Sequence, residues 1–234
     1  MEISVQNNII SVAGLGTLEC YTNPYHREHV YLRPRLDRYD PERSASLFAQ
    51  VAHLAGKPLQ VMCGSGETEL IGFLERGGFQ LKRRCFECEA GADALRGVER
   101  PALVLQQCVR GEASYERCCR LLYEKYRDDH EAVNPLTAAF EEFAGDLPET
   151  VLYTKAGTAI RQFAFVEDDE ITYAGGEESS FAEFAAAVAY AILEKRESIC
   201  FEADDCDRTA MILKDLLCPE VEESYNTYVL LRFE

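Results

Sequence analysis

The sequence predicts an α/β protein with a mixed sheet, divided into two consecutive lobes. Short apolar segments bounded by glycine and proline occur along the chain, and such segments are typical of strands. Between them lie longer segments in which apolar residues recur three and four positions apart, which is the period of an amphipathic helix. Both halves show the order strand, helix, strand, helix, strand. This shared order favours a duplication.

The first lobe begins with β-like segments. Residues 2–35 contain several apolar stretches interrupted by Gly14 and Gly16, which predicts two or three short antiparallel strands. A helix is expected from Pro41, a residue type favoured at the first helical position, to about Gly56, a type favoured just past the last one. A buried strand over residues 59–63 follows.

The first lobe ends with a second helix and strand. Leucine, isoleucine and phenylalanine share one helical face over residues 67–76, and a strand is predicted over 79–88. Residues 89–101, rich in alanine, glycine and charge, predict a linker. The apolar triplet 103–105 fits a strand exchanged between the lobes.

The second half begins with two amphipathic helices. They are expected at about 114–127 and 135–144, and the second has Asn134 as N-cap and Pro135 at the first helical position. Alternating apolar segments predict strands near residues 151–155, 159–166 and 170–174.

The remaining elements repeat the earlier order. Ser180 and Glu183 have the spacing of a capping box, which predicts a helix from there to about residue 194. The tail predicts a strand, a helix and a final strand at residues 199–203, 207–217 and 225–233. The predicted domains are therefore a truncated first lobe with its linker, residues 1–100, and a second lobe, residues 101–234.

The charge of the chain is concentrated in the second lobe. The formal net charge is −17, and residues 101–234 carry 12 Lys and Arg against 28 Asp and Glu. Such a surface repels a phosphate backbone, so the composition argues against nucleic-acid binding. A basic partner, such as a small-molecule amine, suits it better.

Neither secretion nor membrane binding is expected. The N-terminus lacks a basic segment followed by an apolar one, and no run of about 18 apolar residues occurs. We therefore expect a cytoplasmic protein whose 10 cysteines are free thiols. The sequence leaves the oligomeric state open.

No metal site is predicted. Cys85 and Cys88 have the spacing of half a zinc site, but they lie in a predicted strand and no second pair accompanies them. His26 and His29 lack a third ligand at a suitable spacing. Packing in the core explains these residues more simply.

One segment resembles a known family. The end of the second predicted helix reads FLERGGF, residues 73–79, and is similar to the "L-Y-E-K-x-G-F" ending of the helix after the fifth strand in GNAT-type N-acyltransferases. The order of elements resembles that family from residue 114 onward, while residues 1–90 resemble a shortened copy. The resemblance implies two GNAT-like lobes, each with a sheet that separates between its fourth and fifth strands.

The resemblance implies an acetyl-CoA-dependent N-acetyltransferase with an unidentified amine acceptor. Acetyl-CoA would lie in the second lobe, its pantetheine along the strand and its pyrophosphate on the following loop, at Ile171, Tyr173, Ala174, Gly175, Gly176, Ser179 and Ser180. Glu177 and Glu178 oppose such an anion, and an ordinary acidic helix start is the alternative interpretation.

Two further groups of residues complete the predicted site. Arg35 and Arg38 concentrate positive charge in the first lobe and are expected to attract a phosphate group, although they also fit an exposed charge cluster on a strand edge. Tyr225 and Tyr228 are the candidate general acids for the leaving thiolate, and ordinary strand aromatics are the alternative. A non-catalytic scaffold or ligand-binding protein that has lost the pyrophosphate loop is the competing hypothesis.

Overall fold

The computed structural model describes residues 3–231, apart from the side chain of Ile3. The chain forms two compact units. Unit 1 consists of Met1–Arg84, His130–Ala138 and Glu223–Glu234, and unit 2 consists of Cys85–Asp129 and Ala139–Glu222. Each unit is a mixed α/β structure, as the sequence predicts.

The described residues contain twelve strands and six α-helices. The strands are β1 (Ile3–Gln6), β2 (Ile9–Val12), β3 (Gly16–Tyr21), β4 (Val30–Leu36), β5 (Leu59–Gly64), β6 (Gln80–Gly91), β7 (Gln106–Val109), β8 (Thr150–Ala156), β9 (Ala159–Glu167), β10 (Glu170–Gly176), β11 (Ser198–Asp204) and β12 (Tyr225–Leu230). The helices are α1 (Pro41–Ala55), α2 (Thr68–Arg76), α3 (Ala113–His130), α4 (Phe140–Gly145), α5 (Phe181–Leu193) and α6 (Arg208–Leu217).

The sheet of unit 1 has the strand order β1-β2-β3-β4-β5-β12. Strands β1 to β4 pair antiparallel, β4 and β5 pair parallel, and β12 pairs antiparallel with β5. Helices α1 and α2 cover one face, where Phe48 and Phe73 pack in one buried cluster with Leu32, Val61 and Tyr228. The neighbouring strand residues alternate to the opposite face.

Helix α1 begins and ends where the sequence predicts. Asp40 is its N-cap and accepts a hydrogen bond from the Glu42 amide, while Pro41 needs no amide partner. Gly56 ends the helix in the left-handed region at φ 63°, and its amide donates to the Ala52 carbonyl. Glycine adopts this conformation without the steric cost that a Cβ would add.

The sheet of unit 2 has the strand order β6-β11-β10-β9-β8-β7. Strand β6 pairs antiparallel with β11 through Cys85–Gly91, β10 and β11 pair parallel, and the remaining neighbours pair antiparallel. The apolar helix α5 buries Phe181, Phe184 and Val188 against the sheet. It is almost wholly apolar because most of its surface is covered.

Three local predictions are wrong. The helix expected from Pro135 is absent, and α4 begins at Phe140. Ser180 makes no capping bond to α5 and instead accepts a hydrogen bond from Gln162 Nε2 at 2.6 Å. Residues 103–105 are not a strand, because β7 begins at Gln106 and pairs with β8 inside unit 2.

The final strand belongs to unit 1, although it follows the last helix of unit 2. It runs from Tyr225 to Leu230, Leu231 does not continue it, and the rest of the predicted strand, residues 232–233, lies outside the described residues. The compact units therefore exchange segments, whereas the domain prediction divides the chain once, at residue 100. That division stays a prediction. Among the described residues, no helix combines the length and the apolar character needed to cross a membrane.

Candidate functional site

Each unit contains one pair of parallel strands that separate. In unit 1, β4 and β5 pair only through Val30–Leu32, although β4 continues to Leu36 and β5 to Gly64. In unit 2, β10 and β11 pair only at Glu170 and Ile171 and then diverge. Each separation opens the sheet at the carboxyl ends of two parallel strands, where ligands bind in many α/β proteins.

The gap of unit 2 is crowded by side chains. The Thr209 hydroxyl, at the start of α6, lies 3.2 Å from the Ala174 carbonyl of β10. A Cβ on Gly175 would come within 2.8 Å of the Lys125 side chain, so that lysine lies directly against the strand. The carbonyl and the glycine that would have to receive a pantetheine are therefore already in contact with protein.

An ion-pair cluster holds these side chains in place. Lys125 Nζ pairs with Asp129 and, at 2.6 Å, with Asp207, and all three side chains are at least three-quarters buried. Asp207 also accepts hydrogen bonds from the Thr209 and Ala210 amides and so caps α6. Buried charges persist only when they are paired, and this cluster satisfies that requirement within unit 2.

The predicted pyrophosphate loop is held by hydrogen bonds and ion pairs to other residues of unit 2. The Glu177 amide donates to the Arg161 carbonyl at 2.9 Å, and the Glu177 carboxylate pairs with the Arg161 guanidinium. Hydrogen bonds from Arg161 and then Ser179 lower the pKa of Glu177. The Ser179 hydroxyl donates to that carboxylate at 3.0 Å, and Glu178 lies 4.0 Å from Arg208. The loop thus presents a carboxylate that stays ionised, which disfavours an anion.

The predicted strand contacts are packing residues. Ile171 is 3% exposed in the core of unit 2. The Tyr173 ring packs edge-to-face on Tyr126, 6.1 Å between centroids, and burial followed by Glu202 raises its pKa. Beside the loop lies a cavity of about 300 Å³ with lining charges of both signs: Lys125, Arg161, Arg208, Asp129 and Glu178.

Unit 1 places four arginines around its gap. Arg33 and Arg35 both reach the exposed carboxylate of Glu19, at 3.3 and 3.5 Å, and Arg33 also lies over the Tyr21 ring. Arg35, which is predicted to attract a phosphate group, therefore forms an exposed ion pair with Glu19 at the edge of the gap.

Arg38 and Arg43 lie at the start of α1. Arg38 Nε donates to the Gly14 carbonyl at 3.0 Å, and Arg43 donates to the Ala13 carbonyl at 2.8 Å. Both guanidinium groups lie 3.7 Å from the position of a Cβ on Gly14, so they are close neighbours. Each uses one N–H of its five in these bonds, which leaves donors for an anion.

The two predicted tyrosines face opposite sides of the unit 1 sheet. Tyr228 is 3% exposed and packs in the core beneath α1 and α2, whereas Tyr225 is 44% exposed. Burial, then Tyr21 and Glu67, raise the pKa of Tyr225, while Arg33 lowers it. Tyr225 therefore lies among groups at the end of the gap, and the structure gives Tyr228 a packing position.

Sequence reasoning missed Tyr39 and Glu67. Tyr39 reaches from the loop before α1 to the Phe73 ring of α2, 5.7 Å between centroids, and its pKa is raised by burial and then by Glu67. Glu67 Oε1 accepts a hydrogen bond from the Gly64 amide at 2.8 Å. Burial and then Glu67 raise the pKa of Cys63 to about 12. An aromatic residue inside a charged loop was the available signal for Tyr39.

Gly66, in the turn after β5, is exposed. A Cβ on Gly66 would meet no heavy atom within 4 Å, in contrast to Gly175 of unit 2. Glu67 lies near both phenols, because its charge contributes to the raised pKa of Tyr39 and to that of Tyr225.

The face of unit 1 that carries Tyr225 also holds buried polar groups. Asn134 Nδ2 donates to Tyr31 Oη and to Gln60 Oε1, each at 2.9 Å. Asn134 Oδ1 and Thr227 Oγ1 are buried without a hydrogen-bond partner. Thr227 lies two residues from Tyr225 in β12 and so shares its face. Unsatisfied buried oxygens of this kind destabilise the folded protein.

Solved structures are similar to this chain, although no protein-family model and no curated protein matches it. A GCN5-related N-acetyltransferase from Sphaerobacter thermophilus has a TM-score of 0.55 and 12% identity, over 95% of this chain and 79% of that one. A tandem GNAT protein from the clavulanic acid biosynthesis pathway has a TM-score of 0.51 and 12% identity, over 97% and 82%. A GCN5-related N-acetyltransferase from Kribbella flavida has a TM-score of 0.51 and 11% identity, over 100% and 90%.

These similarities define the fold class. The chain has the GNAT fold in two copies, as the resemblance at residues 73–79 implies. At such identities the similarity concerns the fold alone.

Proposed function

We propose that the protein is an acyl-CoA-dependent N-acyltransferase, with acetyl-CoA as the simplest donor, and that unit 1 holds the donor. The observation that carries this proposal is the contrast between the gaps: Thr209 and Lys125 crowd the gap of unit 2, while Arg38 and Arg43 of unit 1 lie together at the start of α1 with unused donors. This assignment moves the donor from the loop 175–180, which the sequence favoured, to unit 1.

The start of α1 suits the pyrophosphate. Arg38 and Arg43 lie together there, with unused guanidinium donors and the positive end of the helix dipole beside them. Asp40 opposes an anion at the same place, because its carboxylate caps the helix. Glu42 in the first turn is a second carboxylate, so attraction of the pyrophosphate depends on direct hydrogen bonds from the two guanidinium groups rather than on an excess of positive charge, and salt should weaken it.

The phenols suit proton donation. Acetyl-CoA supplies an activated thioester, and the thiolate that leaves it needs a proton. Burial is the first cause of the raised pKa of both Tyr225 and Tyr39, so both phenols are protonated at neutral pH and able to act as general acids. Tyr225 is the better placed for an incoming acceptor, because it is on the face of the sheet that α1 and α2 do not cover.

The acceptor is a small basic amine in this proposal. The carboxylate of Glu67 lies near the exposed Tyr225, and it would attract an amine in its ammonium form. The net charge of −17 draws cations toward the protein, and it repels acetyl-CoA except near the arginines of unit 1.

Calorimetric titration with acetyl-CoA, followed by mass-spectrometric detection of acylated amines, tests the proposal. We expect Arg38→Ala with Arg43→Ala to weaken acetyl-CoA binding by about tenfold or more at low salt. The matched control in unit 2, Glu177→Gln with Glu178→Gln, should leave the affinity unchanged. Tighter binding in the control would instead return the donor to the loop 175–180, and no binding to any variant would remove the enzyme hypothesis.

The pH dependence tests the role of Tyr225. The acid form of a group whose pKa is raised persists to higher pH, so turnover should fall only as pH rises above the ordinary tyrosine value of about 10. Tyr225→Phe should lower kcat by about 100-fold and leave acetyl-CoA affinity unchanged. An unchanged kcat in Tyr225→Phe would assign the proton transfer to another group, and Tyr39→Phe is the next variant to measure.

A ligand-binding function without catalysis is the second candidate. The cavity of about 300 Å³ in unit 2 has cations and carboxylates on its walls, which suits a small zwitterion rather than CoA. Binding of amino acids without binding of acetyl-CoA would favour this function.

A further inference from the structure

A cavity of about 550 Å³ lies in unit 1, at the other end of β4 and β5 from their gap. Its walls include His29 and Pro58, which directly precede β4 and β5, and Val229 near the end of β12. These positions are at the amino ends of the two parallel strands, whereas the gap opens at their carboxyl ends. Strand β5 has six residues, so about 17 Å separates the two places. The cavity is therefore distinct from the gap.

One wall of the cavity is the segment of residues 131–137, which hydrogen bonds hold in place within unit 1. The Thr137 amide donates to the Tyr25 carbonyl at 2.8 Å, and Asn134 Nδ2 donates to Gln60 Oε1 at 2.9 Å. A wall that is already fixed does not have to be ordered when a ligand binds, so the entropic cost of binding is reduced.

His29 supplies a hydrogen-bond acceptor to the cavity. The residue is only 5% exposed, and its ring is part of the cavity wall. Its Nδ1 lies 3.1 Å from Gln60 Oε1, an oxygen that also accepts from Asn134, so Nδ1 carries the ring proton. Burial, the largest cause, lowers the pKa of His29, and the ring is therefore neutral at pH 7. Nε2 then has a lone pair, and it has no hydrogen-bond partner among the described residues.

Charges of both signs and apolar side chains complete the walls. Glu28 and Glu131 are exposed carboxylates, and Lys82 is a half-buried ammonium group. Within the part of the chain that the structure describes, none of the three forms an ion pair. The apolar wall residues include Pro58, Val133, Leu136 and Val229. Ligand pockets of about 300–1,000 Å³ combine apolar walls with a few polar groups that orient the ligand, and this cavity has that composition.

We propose that this cavity binds a free α-amino acid with an apolar side chain, such as phenylalanine. The ammonium group of the ligand pairs with the carboxylates of Glu28 and Glu131 and donates a hydrogen bond to His29 Nε2. The carboxylate of the ligand pairs with Lys82, and its side chain packs on Leu136. A simple cation would be opposed by the lysine and a simple anion by the two carboxylates. A zwitterion therefore fits the charges of the cavity best.

Isothermal titration of the full chain with phenylalanine tests this binding site. The titration omits acetyl-CoA, so its result is independent of the proposed function. Phenethylamine lacks the carboxylate and hydrocinnamate lacks the ammonium group, so the three probes separate the two charges. We expect phenylalanine to bind about tenfold more tightly than phenethylamine, and hydrocinnamate to bind most weakly. Equal binding of phenylalanine and phenethylamine, or no binding of phenylalanine, would overturn the proposal.

Two variants assign the charges of the ligand to the walls. Lys82→Met removes the partner of the ligand carboxylate, so it should weaken phenylalanine binding about tenfold and leave phenethylamine binding unchanged. Glu131→Gln removes a partner of the ammonium group and should weaken the binding of both. An equal loss of both probes in Lys82→Met would contradict the pairing with the carboxylate. Phenylalanine binding that Glu131→Gln leaves unchanged would place the amino acid elsewhere and overturn the assignment.

The cavity of unit 2 provides the matched control. Arg208 is an exposed cation that lines that cavity, so Arg208→Ala removes a positive charge from unit 2 alone. We expect the affinity for phenylalanine to be unchanged in Arg208→Ala. If Arg208→Ala weakened the binding and Lys82→Met did not, the amino acid would occupy the cavity of unit 2, and the inference would be wrong.

Discussion

The two units use the same pair of separating strands differently. In unit 2, Asp207 caps α6, pairs with Lys125 and holds Thr209 against β10. In unit 1, Glu67 stands at the N-cap position of α2 but makes no capping bond, and the adjoining glycine Gly66 faces open space. The comparison shows that the fold fixes the position of the gap, whereas a few side chains decide whether it is stabilised by protein or left for a ligand.

Removal of the Asp207 carboxylate should produce the largest effect. Asp207→Ala deletes the cap of α6 and leaves the largely buried Lys125 with one partner fewer, so we expect the free energy of unfolding to fall by about 3 kcal/mol. Urea denaturation measures this change. Asp207→Asn, which retains a capping oxygen, should lose less.

The matched change in unit 1 is Glu67→Ala. It removes only the bond from the Gly64 amide, so the expected loss is about 1 kcal/mol. If Asp207→Ala and Glu67→Ala lowered the free energy of unfolding equally, the two gaps would not differ in how strongly protein contacts stabilise them.

Loss of the Thr209 hydroxyl should have an intermediate effect. Thr209→Val keeps the side-chain shape but leaves the Ala174 carbonyl and the Asp207 carboxylate each without one contact, at a cost of about 1–2 kcal/mol. Thermal unfolding without acetyl-CoA measures the loss of stability, and the same measurement with acetyl-CoA shows whether the variant binds it more tightly. A gain in acetyl-CoA binding by Thr209→Val would show that the hydroxyl alone excludes the donor from unit 2.

Acidification should weaken unit 1 in preference to unit 2, because all four histidines of the chain belong to unit 1. Burial is the first cause of the lowered pKa of His26 and of His29. A lowered pKa in the folded state means that the unfolded chain binds more protons, so their contribution is present above about pH 6.5 and is lost as pH falls below it.

Hydrogen exchange at pH 7.5 and pH 5.5 measures this effect in each unit. The amides of β4 and β5 should lose protection at the lower pH more than those of β10 and β11. His26→Gln with His29→Gln should reduce that difference. Equal losses in both units would assign the acid response to carboxylates instead.

The smallest effect is expected at the exposed edge of the unit 1 gap. Glu19→Gln removes the partner of Arg33 and Arg35, yet exposed ion pairs contribute little, so stability should change by less than about 0.5 kcal/mol. The same change frees two arginines beside the gap, and acetyl-CoA binding at low salt should strengthen slightly. A large loss of stability would give these arginines a structural role instead.

Local sequence patterns predicted most of the helices and strands. They failed where contacts with residues far away in the chain determine the local structure. Helix α1 was predictable because Asp40, Pro41 and Gly56 act within a few residues of its ends. The predicted helix start at Asn134 was wrong because the Asn134 amide is engaged by Tyr31 and Gln60, about 100 and 70 residues away in the chain. Contacts between residues so far apart cannot be predicted from a local sequence pattern.

The candidate site shows the same limit. Arg38 and Tyr225 were identified by residue type, but their common membership of unit 1 depends on β12 pairing with β5, a strand that lies about 160 residues earlier in the chain. The predicted role of the loop 175–180 rested on its glycines. The loop is instead held by contacts with residues of another strand, such as Arg161 of β9. Strand pairing over long sequence separation is what the sequence alone does not specify.

Hydrogen exchange with and without acetyl-CoA tests the central claim most directly, because it reports on both gaps in one experiment. We predict added protection at the start of α1, residues 37–43, and around the end of β5, residues 62–66, with no change over residues 171–180. Arg38→Ala with Arg43→Ala should abolish that protection. Protection over residues 171–180 alone would contradict the account, because it would place the donor in the gap that Thr209 and Lys125 crowd.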